Sequence, residues 1–193
     1  ELLKEETFSA FSLDYYSAEQ TDPVTGLSAR DCARYALTEC RRFVQDFDRS
    51  FENVFLYGNT GLGKTFLSHC IAKELIEQSH SVIYMSAVRF FDVLADASFH
   101  KGSSGTQESS VYRDFYDCDL LIIDDLGTEL PNSFTVSQFF LCINERILRK
   151  KSTLISSNLD MEALRSIYSE RTLSRIISSY TIRQLPGSGP GTF

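Results

Sequence analysis

Eight consecutive residues, Gly58-Asn59-Thr60-Gly61-Leu62-Gly63-Lys64-Thr65, match the pattern G-x-x-x-x-G-K-[ST] in full. Glycines in such a run let backbone N–H groups turn inward around phosphate with no Cβ in the way. A helix opening at Lys64 aims its positive dipole end at the same phosphates. The Lys64 ammonium is then expected on the β- and γ-phosphates, and the Thr65 hydroxyl on Mg2+. An apolar run before the motif (Val54-Phe55-Leu56-Tyr57) and helical spacing after it supply the flanking strand and helix that the pattern requires. The chemistry predicted here is nucleotide binding.

A second stretch discriminates among nucleotide users. Leu121-Ile122-Ile123-Asp124-Asp125 ends an apolar run in two carboxylates. Asp124 is expected in the Mg2+ shell. Asp125, one position on, is placed to orient and deprotonate an attacking water, which a kinase acting on a bound acceptor does not need. The reading is a P-loop ATPase that hydrolyses through water, with slow turnover because the base position carries the short Asp. Asn158, after Ser156-Ser157, is an amide able to bond the attacking water or the γ-phosphate. Arg171 and Arg175 stand at i and i+4 on one helix face, where an arginine offered to a neighbouring subunit stabilises charge on a γ-phosphoryl group.

These residues need elements to hold them. Strands are expected at 54–57, 81–85, 120–123, 153–156 and 180–185, and helices at 64–78, 88–97, 135–150, 161–164 and 170–179. Alternation of this kind predicts an α/β domain with a five-stranded parallel sheet between helical layers. The continuous apolar run 120–123 reads as a strand buried on both faces. Residues 98–110, rich in Ser and Gly, read as a loop, and residues 186–193 as a disordered tail. The first fifty residues hold an aromatic patch (Phe8, Phe11, Leu13, Tyr15, Tyr16), a turn at 21–26 and an amphipathic helix at 28–47. That segment is too short for a core of its own and is expected to pack on the ATPase core at 51–185.

With 193 residues, 42% hydrophobic and 23% charged, the chain is of ordinary globular composition. Five cysteines without a CxxC pair argue against a disulfide framework and a zinc ribbon. With neither a signal peptide nor a membrane span in sight, a cytoplasmic protein is expected. The net charge of −7 is unevenly spread: residues 1–140 carry 11 basic and 22 acidic side chains, residues 141–183 carry 8 and 4. The loop and helix around Lys101 to Arg113, and the basic run Arg146 to Lys151, are the candidate tracks for nucleic-acid phosphates.

Taken in order, these residues resemble the AAA+ domain of bacterial replicative helicase loaders of the DnaC/DnaI type, over about Thr7 to Leu185. The resemblance is carried by the Thr7–Leu13 segment, by Tyr57 to Leu67 (which adds Phe66 to the cofactor-binding set), by Ile123-Asp124-Asp125-Leu126-Gly127, by Ser156 to Asp160, and by Arg171 with Arg175. It implies Lys64 and Thr65 as the Walker A pair and Asp124 and Asp125 as the Walker B acids. Asn158 becomes sensor 1, and Arg175 or Arg171, with a lean to Arg175, the arginine finger. It also implies ATP/ADP and Mg2+ as cofactors and an aromatic wall for adenine. The implied partners are single-stranded DNA, other copies assembled head-to-tail in a ring or spiral, and a replicative helicase bound through a part outside this chain; no membrane is implied. No C-terminal lid domain is expected. Two other readings stay open: a transposase-helper ATPase of the insertion-sequence type, and a scaffold that binds nucleotide but scarcely turns it over.

Overall fold

Apolar runs bounded by polar breaks form the strands, and apolar residues recurring every three to four positions form the helices. The computed structural model describes residues 6–19, 21, 26–99 and 110–185. After a 3-10 turn at Leu13–Tyr15 come α1 (Ala29–Gln45), β1 (Val54–Tyr57), α2 (Lys64–Glu77), β2 (Val82–Ser86), α3 (Ala87–Phe99) and α4 (Ser110–Asp117). They are followed by β3 (Leu120–Leu126), α5 (Ser133–Leu148), β4 (Ser152–Ser157), α6 (Met161–Ile167), α7 (Glu170–Ser179) and β5 (Thr181–Gln184). The five strands are all parallel, in the order β2-β3-β4-β1-β5. This is the expected α/β/α sandwich. The centre of the turn near residue 23, the loop around Lys101 and the tail 186–193 lie outside the described residues.

Side chains alternate across the sheet with period two. Leu120 and Ile122 of β3, with Leu154 of β4 and Leu56 of β1, pack under α1 and α2. Leu121, Ile123, Ile155 and Phe55 enter the opposite layer with α3, α4, α5 and α7. All eight are fully buried. Helix α1 starts at Ser28, whose hydroxyl accepts from the Asp31 N–H, and packs against α2 along Ala33, Ala36, Cys40 and Val44. Phe8 and Tyr16 of the preceding segment join the same cluster. All five cysteines are free. Among the described residues no helix is long and apolar enough to cross a membrane.

Strand order positions the site. β4 lies between β3 and β1, so the carboxyl end of β3 (Asp124, Asp125), that of β4 (Ser156 to Asn158) and the loop leaving β1 open side by side. In such sheets, ligands bind in the crevice outside the carboxyl ends of the strands.

The basic run Arg146 to Lys151 is not a free cationic surface. Arg146 is fully buried. Its guanidinium donates to Thr153 Oγ1 at 3.0 Å, to the Phe115 and Ser152 carbonyls at 2.5 Å each, and to Cys118 Sγ at 3.2 Å, tying α4 and α5 to the start of β4. Arg149 pairs with Asp117 at 2.7 Å and Lys151 with Asp119 at 2.8 Å. Of these four, only Arg149 and Lys151 form ion pairs among the described residues. A buried arginine stripped to alanine leaves its acceptors dry and unpaired, so Arg146→Ala is expected to destabilise the fold by about 3 kcal/mol. Urea unfolding measures the loss, and an unchanged midpoint would contradict the buried placement.

Candidate nucleotide-binding site

The glycine loop runs from the end of β1 into α2, and two of its glycines are required by geometry. Gly58 has φ +143°, and a Cβ there would lie 2.2 Å from the Leu185 carbonyl oxygen. Gly63, at φ +79°, opens α2 in the left-handed region, with Phe11 and the Tyr16 hydroxyl packed where a side chain would project. The loop is pinned at both ends. Gly58 N–H donates to the Ser157 carbonyl at 3.2 Å, and the Tyr16 hydroxyl donates to the Leu62 carbonyl at 2.9 Å.

Loop and strand ends enclose a cavity of about 300 Å³, lined by residues 60–65 and closed by Asp125 and Asn158. Lys64 is buried, its ammonium donating to the Gly58 and Asn59 carbonyls at 2.8 Å each. Burial pushes the Lys64 pKa down, against the pull of Asp125 and Asp124. Gly58 and Asn59 thus act through their carbonyls rather than as cavity lining. Phe66 stands beside Phe11, ring centroids 5.7 Å apart, and Phe11 stacks on Tyr16 at 5.7 Å. This aromatic group flanks the loop, and Phe66 is not among the residues lining the cavity.

The two acids are held differently. Asp124 is buried and accepts from Thr65 Oγ1 at 3.0 Å, from the Tyr84 hydroxyl at 2.6 Å and from Ser156 Oγ. Asp125 follows with φ +58°, where the register of β3 against β4 shifts. This bulge-like break places Asp125 on the cavity wall, in line with the use of bulges to aim side chains. Its N–H donates to Ser156 Oγ at 2.9 Å, and one of its carboxylate oxygens accepts from Asn158 Nδ2 at 3.2 Å. Burial raises the Asp125 pKa and the neighbouring Asp124 charge adds to it, while Lys64 and Asn158 oppose the shift.

Arg171 and Arg175 are not brought to this cavity. Both are exposed on α7, which Ser169 caps by accepting from the Thr172 N–H. The Arg171 guanidinium lies 4.7 Å from the centre of the Phe140 ring. Of the polar groups around the acids, the Tyr84 and Ser156 hydroxyls were not assigned to Asp124 from sequence. The signal was present in the strand order: β2 and β4 flank β3, so side chains of matching parity on both meet Asp124.

A five-stranded parallel sheet carrying a complete phosphate loop after its first strand, and paired acids two strands away, defines a P-loop nucleotide-binding domain of the AAA+ class. The chain belongs to the IstB-like ATP binding protein family, whose sequence profile matches residues 30–181. It is 27% identical to the replicative helicase loader DnaC of Escherichia coli strain K12 over 141 residues, 73% of this chain and 56% of that protein. It resembles the crystal structure of the DnaC helicase loader with a TM-score of 0.65 at 21% identity, over 92% of this chain and 97% of that one. The replication initiator DnaA bound to AMPPCP and single-stranded DNA matches with a TM-score of 0.75 at 21% identity, over 97% of this chain and 51% of that one. These structural likenesses show the fold. The chain spans about half the length of the curated relatives it matches.

Proposed function

We propose that this chain is the ATP-binding and hydrolysing domain of a replicative helicase loader, with ATP acting as a timing switch for delivery of the helicase onto single-stranded DNA. The observation that carries the reading is the convergence of Lys64, Thr65, Asp125 and Asn158 on one cavity, with Asp124 bonded to Thr65 behind them. Lys64 neutralises the β- and γ-phosphates, and the loop N–H groups and the α2 dipole hold them. A hydroxyl and a carboxylate are the hard oxygen donors that Mg2+ takes beside phosphates and water, so Thr65 and Asp124 fit as its protein ligands. When bound, the ion neutralises charge on the β- and γ-oxygens. Asp125 orients the attacking water and accepts its proton, and Asn158 fixes the Asp125 carboxylate toward the cavity. Phe11, Tyr16 and Phe66 wall the adenine side. Arg175 completes the pocket of a neighbouring copy in a head-to-tail ring or spiral. A helicase is engaged by a part of the parent protein outside this chain, and single-stranded DNA by the assembled copies.

DnaC helicase loaders are among the relatives matched over about three quarters of the chain, and this favours loading over the transposase-helper reading. ATP turnover per subunit is expected to climb with protein concentration and to rise further with single-stranded DNA, and the full-length parent is expected to bind a hexameric replicative helicase. Flat, near-zero turnover despite tight ATP binding would support the scaffold reading instead.

A further inference from the structure

The geometry points to Tyr84 as the residue that positions the Asp124 carboxylate for the metal, an inference that rests on reading Asp124 as the metal-side acid. β3 has β2 on one side and β4 on the other, and each neighbour sends one hydroxyl to a different oxygen of Asp124. Tyr84 of β2 donates to Oδ2 at 2.6 Å, and Ser156 of β4 donates to Oδ1. The two bonds fix the carboxylate plane from both ends. Thr65 also donates to Oδ2, and its lone pairs stay free for a metal. Tyr84 and Ser156 are the donors to Asp124 that the proposed metal site does not itself use.

The phenol is itself braced. Strand parity puts Tyr84 on the α2 face of the sheet, with Ile122 and Asp124. Its ring centre lies 4.8 Å from that of His69 on α2. The Glu6 carboxylate bonds His69 Nδ1 from the segment that precedes the 3-10 turn. Among the described residues the Tyr84 hydroxyl makes no hydrogen bond except to Asp124. A group with one partner, held by two other elements, acts on that partner. Outer groups of this kind orient metal ligands, and their loss weakens metal affinity about 10- to 100-fold.

The test is calorimetric titration of the protein with a non-hydrolysable ATP analogue, in EDTA and across a Mg2+ series, for wild type, Tyr84→Phe and Asp124→Asn. Tyr84→Phe keeps the ring and removes only the hydroxyl. It is expected to bind the analogue in EDTA as wild type does, and to need about tenfold more Mg2+ for half of the metal-dependent gain. His69→Ala, which leaves the phenol but removes its brace, should shift the Mg2+ requirement the same way by less, and carries the test if Tyr84→Phe does not fold. A Tyr84→Phe protein with the wild-type Mg2+ requirement, beside an Asp124→Asn protein that has lost the gain, overturns the role of Tyr84 and leaves the site reading standing. Equal loss with and without Mg2+ in Tyr84→Phe also overturns it, because a general packing defect is then at work. Absence of any Mg2+ gain in wild type, with Asp124→Asn unchanged, removes the site reading and this inference together.

Discussion

Lys64→Ala is expected to lower ATP affinity about a hundredfold, the value of one or two charge-assisted hydrogen bonds to phosphate. The lysine is buried, and two carbonyls of its own loop hold the ammonium at 2.8 Å. It is thus aimed before any ligand arrives, and little side-chain entropy remains to be lost on binding. Burial disfavours its charge, while Asp124 and Asp125 favour it. Without the ammonium, those two carboxylates would face a polyphosphate with one positive charge fewer between them. The loss should therefore grow with the number of phosphates: the gap between ATP and AMP affinity seen in wild type should collapse in the variant. Lys64→Arg is not expected to rescue binding, because a planar guanidinium cannot take the place of a compact ammonium in a closed loop. Calorimetry with both nucleotides, on variants with native circular dichroism, decides the matter. ATP affinity within threefold of wild type would mean that the cavity is not a triphosphate site.

What the sequence made legible were the features whose geometry is local. A phosphate loop is eight consecutive residues, and its glycines, lysine and threonine do their work within one turn of chain. Asp124 and Asp125 were legible for a similar reason, since an apolar run that ends in acids places them at a strand's carboxyl end. The five parallel strands followed from alternation, although β3 runs on to Leu126 and α6 to Ile167, beyond the expected ends. What stayed hidden depended on strand order or on long side chains. Nothing local tells that β2 and β4 flank β3, so the Tyr84 and Ser156 hydroxyls could not be assigned to Asp124. Arg146 read as part of a basic surface because its neighbours are Arg149, Lys150 and Lys151. The structure turns it inward to Thr153, Ser152 and Phe115, where one guanidinium satisfies carbonyls from two elements. Arg171 and Arg175 shared a predicted helix face, yet only the structure shows Phe140 under Arg171.

That difference between the two arginines sets the second large expectation. Arg175→Ala should reduce turnover about a thousandfold, the lower range for loss of an arginine finger, with ATP affinity nearly unchanged. Arg171→Ala, whose guanidinium is engaged on Phe140, should cost less than fivefold, in keeping with an exposed cation–π contact of about 1 kcal/mol. Neither arginine lines the cavity of its own chain, so the proposed head-to-tail site takes this group from another copy. Mixing exposes this directly. An Arg175→Ala subunit keeps an intact pocket, and a Lys64→Ala subunit keeps an intact arginine. Each is inactive alone, but in a head-to-tail assembly the arginine of the second meets the pocket of the first. Turnover should therefore reappear on mixing, rise with total concentration, and peak near equal proportions. If Arg175 acted within its own chain, no proportion of the two inactive proteins would restore hydrolysis, and the head-to-tail site would have to be abandoned.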